Sequence, residues 1–229
     1  MASHYHRMRS LFARRAAVPF VPITAPVAYW KLDDSPAAAV GAFVLAGTEG
    51  YTAGKYGSAA LNATLSTASV PVLAGPLGAT SWAVAFWFVK PTVSSSRRPT
   101  VQQTNTGGGN DVRLQFSFFS PNATYGIVVG PSAATQQTGS IQGVTAAGFN
   151  HAILVNEAGL ATLYINGAAF TTLDTSAEVG EFDLTGSLQI TTNTAGTIDD
   201  VAIWLGDVPS VEEIARIAAS AGDLSTLLA

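Results

Sequence analysis

Few side chains in this 229-residue sequence have the types and spacing to do chemistry. Glu181 and Asp183 are two apart, and alternate positions of a strand put both carboxyls on one face. Glycosidic cleavage uses such a pair, one as acid and one as base or nucleophile; two solvated carboxylates at a loop edge have the same spacing. His151 opens an apolar run, where a hydrogen-bonded structural role is commoner than a general base. No serine or cysteine nucleophile motif accompanies it, so a catalytic triad has no basis. Trp87 falls on the opposite strand face from Trp82, Phe86 and Phe88, which places its ring to line a sheet surface as a platform for a sugar. Gln102 to Asn110 contains three successive glycines. It lacks the lysine and the strand-to-helix context of a phosphate-binding loop and reads as a hairpin tip. The chain is therefore expected not to be an enzyme.

The elements that must position these groups are strands. Ile153 to Val155, Ala161 to Ile165 and Ala169 to Leu173 are separated by Asn156-Glu157-Ala158-Gly159 and Asn166-Gly167. Asn-Gly favours a type I′ hairpin turn, because both central residues need φ > 0. Val27 to Leu32 forms the first strand of the body. Residues 58–62, 67–73, 81–90, 113–119, 125–129, 184–191 and 197–205 supply others, and 113–119 alternates as a half-buried strand does. One helix is expected at about 210–221. Pro209-Ser210 opens it, Glu212 and Glu213 suit the dipole of its first turn, Ile214 and Ile217 form its apolar face, and Gly222 ends it. The fold class is all-β: a two-sheet antiparallel sandwich with one C-terminal helix.

Charged residues make up only 11 % of the chain, against about a quarter in ordinary proteins. Such a low-charge surface suits burial in an assembly as well as a weakly charged free sandwich. The charge is also unevenly placed. Residues 1–25 hold Arg7, Arg9, Arg14 and Arg15 and no acid, whereas the remainder is net acidic. With Pro19 and Pro22, and Pro26 just beyond, 1–25 reads as an extended arm and 26–229 as one domain. Leu11, Phe12, Phe20, Val21 and Ile23 are expected to bury in a partner surface. The arginines would meet acidic side chains there, or nucleic acid if the arm faces the inside of a particle. The prolines break the apolar stretch of a signal peptide, so no cleavage is expected. No apolar run reaches the roughly 18 residues of a membrane helix, and no membrane partner is expected. The absence of cysteine excludes disulfides, thiolate metal sites and thiol nucleophiles.

Several blocks occur in a telling order. They are Ala28 to Asp34 (AYWKLDD), Gly54 to Leu61 (GKYGSAAL), Ser81 to Pro91 (SWAVAFWFVKP), the hairpins after His151, and Ile198-Asp199-Asp200-Val201 through Ile214. Together they resemble the laminin-G-like, concanavalin A-like jelly rolls. The resemblance implies the jelly-roll form of sandwich, which serves lectins, adhesion modules, hydrolases and viral structural proteins alike. Hydrolases of this kind use an E-x-D-x-x-E strand, and Gly186 stands here where the second glutamate is required. The resemblance also implies a calcium site at Asp33, Asp34, Asp199 and Asp200. The competing reading is a turn at Asp33-Asp34-Ser35-Pro36, with Asp200 capping a strand. No cofactor is required.

The function expected first is a non-enzymatic virion structural protein made in the host cytoplasm. It would be a phage capsid decoration or a head or tail fibre-type subunit, anchored by its arm to other virion proteins or to copies of itself. The alternative is a carbohydrate-binding or adhesion module recognising cell-surface glycans, with Trp87 as its platform.

Overall fold

The computed structural model describes residues 20–228, apart from 36, 42–43, 49, 62–63, 68–76, 90–99, 105–111, 120–123, 130–134, 141–143, 145–147, 179–186 and 193–195. Glu181 and Asp183, and the arm residues Arg7, Arg9, Leu11, Phe12, Arg14 and Arg15, lie outside the described residues.

The strands pair antiparallel into two sheets. The first is ordered β13 (Ala168–Asp174), β12 (Leu160–Ile165), β11 (Phe149–Glu157), β6 (Trp82–Val89), β15 (Thr197–Leu205), β4 (Ser58–Leu61) and β3 (Tyr51–Ala53). β1 (Ala28–Trp30) pairs with the second half of β15. The second sheet is ordered β10 (Thr135–Ser140), β9 (Thr124–Val129), β8 (Val112–Phe119), β7 (Thr100–Thr104), β14 (Ser187–Thr191), β5 (Thr64–Thr67) and β2 (Ala46–Thr48).

Strand alternation builds two cores. In β6, Trp82, Val84, Phe86 and Phe88 face the second sheet and meet Phe116, Ile127 and Ile190. Ala83 and Ala85 face the other way. There the helix α1 (Val211–Ala219) lays Ile214 and Ile217 against them, together with Ile153, Ala202 and Trp204. Burial on both faces is why β6 reads as an unbroken apolar run. Each large aliphatic side chain so buried stabilises the fold by about 1.5–3 kcal/mol. A capping box fixes where α1 begins: Ser210 Oγ accepts from Glu213 N, and the Glu213 carboxylate accepts from Ser210 N.

Both hairpin turns have left-handed pairs, Ala158 (φ 49°) with Gly159 (87°), and Asn166 (51°) with Gly167 (84°). The first turn is thus two residues long, shorter than expected, and Asn156 stays in β11. Its side-chain amide donates to Leu77 O (3.0 Å) and Thr80 O (2.7 Å), and its carbonyl accepts from Thr175 Oγ1 (2.5 Å). β7 and β10 were not expected, because their Gln- and Thr-rich sequences carry no apolar alternation and neighbouring strands impose the extended form. The strand expected at 67–73 is present as β5 only to Thr67, and residues 68–76 lie outside the described residues. The helix ends at Ala219, before Gly222, and a short α2 (Ser225–Leu228) follows.

The expected boundary between arm and domain also moves. Ile23 is 5 % exposed and packs in the core under α1 of its own chain, not in a partner surface. Its N–H donates to Leu227 O (3.0 Å), Thr24 N donates to the Glu213 carboxylate, and Trp204 Nε1 donates to Thr24 O (2.9 Å). Arg216 donates to Val21 O. The segment is a strap on the body, fixed by backbone hydrogen bonds that its proline-punctuated sequence does not announce. Phe20 and Val21, expected to bury in a partner surface, are 54 % and 62 % exposed on the chain by itself.

Candidate functional site

The site grows from an irregularity in β15. Ile198 and Val201 both face the inner core, yet two residues separate them instead of one. Asp200 takes φ 50°, and the pairing of β15 with β6 shifts register between Asp199 and Ala202. This is a β-bulge, which inserts a residue and re-aims side chains. It sends both Asp199 and Asp200 to the outer face. There Asp199 lies opposite Trp87, which lies opposite His151 on β11, and Asp200 Oδ1 accepts from Tyr29 OH.

Asp199 then holds the turn Gly54-Lys55-Tyr56-Gly57. Its Oδ2 accepts from Lys55 N (2.8 Å) and Tyr56 N (3.3 Å), and Gly54 N donates to Gly57 O (2.9 Å). Asp33 Oδ1 secures the next residue by accepting from Ser58 N (2.8 Å). Gly57 has φ 83°, and a side chain there would strike the Asp33 carboxylate. The two acids thereby aim Lys55 and Tyr56 across Trp87. The Tyr56 and Trp87 rings meet edge to face at 5.8 Å, His151 lies 5.0 Å from Trp87, and Lys55 Nζ lies 4.7 Å from the Trp87 ring centre. The C-terminal segment closes the far side, where Tyr56 OH donates to Ser220 O (2.6 Å) and Lys31 pairs with Asp223 (2.8 Å).

Between these parts lies a pocket of about 280 Å³, counting its open mouth, lined by Tyr56, Trp87, His151, Asp200, Trp204 and Leu224 among others. Two of its polar atoms have no hydrogen-bond partner, Asp200 Oδ2 and His151 Nδ1. Burial pushes His151 down to about 3, so its ring is neutral. Burial lifts Asp200 to about 8, aided by the charges of Asp199, Asp223 and Asp33 against the Tyr29 hydrogen bond. Asp199 rises to about 7, again chiefly through burial, while the N–H groups of Lys55 and Tyr56 oppose the rise. Tyr56 is pushed up to about 12 by burial and by Asp200.

The residues expected to bind calcium are thus assigned other work. Asp33 and Asp199 serve backbone N–H groups, and Asp34 is exposed in a left-handed turn (φ 55°). Asp200 lies within β15 and does not cap a strand. Its Oδ2 offers one unpartnered oxygen, where calcium takes six to eight ligands. Among the described residues no group of three or more His, Cys, Asp or Glu is arranged to hold a metal, and the donor set does not fit the ion. Trp87 lies on the face its spacing predicted but is only 5 % exposed. It is a pocket wall under Lys55 and Tyr56 and not an open platform. Lys55 and Tyr56 were not foreseen as site residues, although their GKYG block stands out in the sequence. His151 was expected to be hydrogen-bonded, and Nδ1 is not.

Two antiparallel sheets with a pocket on an outer sheet face define a jelly-roll domain. The chain belongs to the concanavalin A-like lectin/glucanases superfamily, a laminin-G-type family model of which matches residues 61–215. Among solved structures it is similar to domain 4 of AbnA, a GH43 extracellular arabinanase from Geobacillus stearothermophilus, in complex with arabinotriose. That match has a TM-score of 0.58 at 17 % identity and covers 86 % of this chain and all of that one. It is also similar to the botulinum neurotoxin serotype G binding domain (TM-score 0.63, 12 % identity, 85 % of this chain). A third is the serotype D ligand-binding domain in complex with N-acetylneuraminic acid (0.61, 12 %, 84 %). The chain spans about half the length of these toxin domains. No curated protein matches it.

Proposed function

We propose that this chain is a non-catalytic carbohydrate-binding module that takes the edge of a glycan in the Trp87–Tyr56 pocket. The observation that carries this is the pair of unpartnered polar atoms, Asp200 Oδ2 and His151 Nδ1, inside an aromatic-walled pocket. Ligand sites combine apolar walls with a few convergent polar groups in this way. Solved relatives of the same fold with arabinotriose and N-acetylneuraminic acid bound give further support. The test is a glycan array probed with the full chain and with Tyr56→Ala. Binding that the variant loses supports the reading; binding that Tyr56→Ala leaves unchanged moves the site elsewhere, and an empty array overturns the reading.

A virion-borne structural module anchored by its basic arm is our second reading, and it includes the first if the displayed domain touches host sugars. The exposed Phe20 and Val21, where the arm meets the body, favour it. Mass spectrometry of purified virions tests it, and absence of the chain there overturns it.

A further inference from the structure

Asp200 and His151 are 6 % and 2 % exposed, both line the pocket, and each has a buried side-chain atom without a partner. Leaving a buried polar atom so is costly, and the pocket gains most from a group that serves both. Burial holds the proton on Asp200, but a cation beside it favours the ionised form; the carboxylate oxygen then accepts hydrogen bonds, and a neutral imidazole accepts at Nδ1 when Nε2 carries the proton. A hydroxyl has one hydrogen to give, whereas a protonated primary amine has three and needs no donor in return. The surrounding charge favours the same group. Asp33, Asp199 and Asp223 all act on Asp200 as further negative charges, and the nearby Lys31 ammonium is committed to Asp223 at 2.8 Å. Trp87 and Tyr56 hold the Lys55 ammonium 4.7 Å and 5.3 Å from their ring centres, so these rings can face an ammonium, and a ligand amine enters against the like charge of Lys55. Size narrows the choice. The space open to a water-sized body is about 10 Å³, room for one water or one –NH₃⁺ but not for a trimethylated head.

We infer that the pocket takes a primary ammonium group, so that the glycan recognised is an amino sugar with a free amine; this rests on the glycan reading above. The probes are a β-1,4-linked glucosamine tetramer and its fully N-acetylated counterpart, titrated calorimetrically into the full chain at neutral pH. The amine form should bind about tenfold tighter or more. Asp200→Asn should remove that preference, whereas Asp207→Asn, which changes the same charge at an exposed position, should keep it. If Asp200→Asn does not fold, competition decides on the wild-type chain: n-butylammonium should displace the amine tetramer and n-butyltrimethylammonium should not. Equal affinity for the two tetramers, or a preference surviving in Asp200→Asn, overturns the ammonium assignment while glycan binding stands. Binding of neither tetramer, with an empty glycan array, overturns both.

Discussion

Asp199 and Asp200 make stability depend on pH in a direction opposite to that of most surface carboxylates. In the folded chain they hold their protons to about 7 and about 8, against the ordinary 3.8. A carboxyl raised by folding contributes stability that is complete below the unfolded value and is lost as pH rises through the folded one. His151 acts in a separate window. Lowered to about 3 from 6.5, it contributes stability above pH 6.5 that is lost as pH falls. Between pH 6.5 and 8 the folded histidine is neutral, and the unfolded ring, half protonated at 6.5, loses its remaining proton, which offsets only about 0.4 kcal/mol of the loss from the aspartates. At about 1.4 kcal/mol per pH unit, Asp200 loses about 2 kcal/mol over that interval and Asp199 about 1 kcal/mol more. For a domain of this size about 1 kcal/mol is about 2–4 °C in Tm, so the wild-type Tm should fall by roughly 6–12 °C. Asp200→Asn keeps an acceptor for Tyr29 OH but cannot ionise. Its melting curve should be the flatter one and should lie above wild type at pH 8. Differential scanning calorimetry in buffers of matched ionic strength reads both. A Tm constant from pH 6.5 to 8, or an equal slope in Asp200→Asn, would refute the placement of these carboxyls inside the molecule.

Other outcomes follow from named contacts. Deleting residues 1–19 should leave the Tm unchanged. Deleting 1–25 removes Ile23, worth about 2–4 kcal/mol, and the acceptor of Trp204 Nε1, so thermal melting should show a fall of several degrees or more. Asn156→Ala leaves the Leu77 and Thr80 carbonyls and the Thr175 hydroxyl without their amide partner. Urea denaturation should show a loss of about 3 kcal/mol, and a loss under 1 kcal/mol would mean that water replaces the side chain. Millimolar calcium should leave the Tm where it is. A reproducible rise would show that Asp33 and Asp199 can be recruited from their backbone donors.

The parts of the fold that the sequence displays are those fixed by near neighbours. Asn166-Gly167 dictates its turn because two adjacent residues must both reach φ > 0, and Ser210 with Glu213 caps α1 from three residues away. The alternation in β6 places Trp87 opposite Trp82 because the period of a strand is local. What covers Trp87 is not local. The tryptophan meets His151 and Asp199 through strand pairings, and the GKYG turn reaches it through a carboxylate contributed by β15. The β7 and β10 segments, rich in Gln and Thr, show why composition alone misses a strand whose partners impose its form.

The two Asp-Asp pairs show the same limit in chemical terms. A sequence supplies carboxylates in number, and four of them near the ends of two strands suit a calcium ion well. Whether they bind one depends on where their oxygens are spent, and a single bulge directs two of the four side chains here. By adding one residue to β15 it turns Asp199 toward the turn it holds and Asp200 into the pocket. The first carboxylate is consumed by backbone N–H groups, as is that of Asp33. The second keeps one oxygen unpaired beside two aromatic rings. Acids that read as a metal set thus divide into one group that builds the pocket and one that faces its contents. A carboxyl sealed among aromatic side chains leaves one oxygen for a single small donor group, and the selectivity we propose for this face rests on that oxygen more than on the fold.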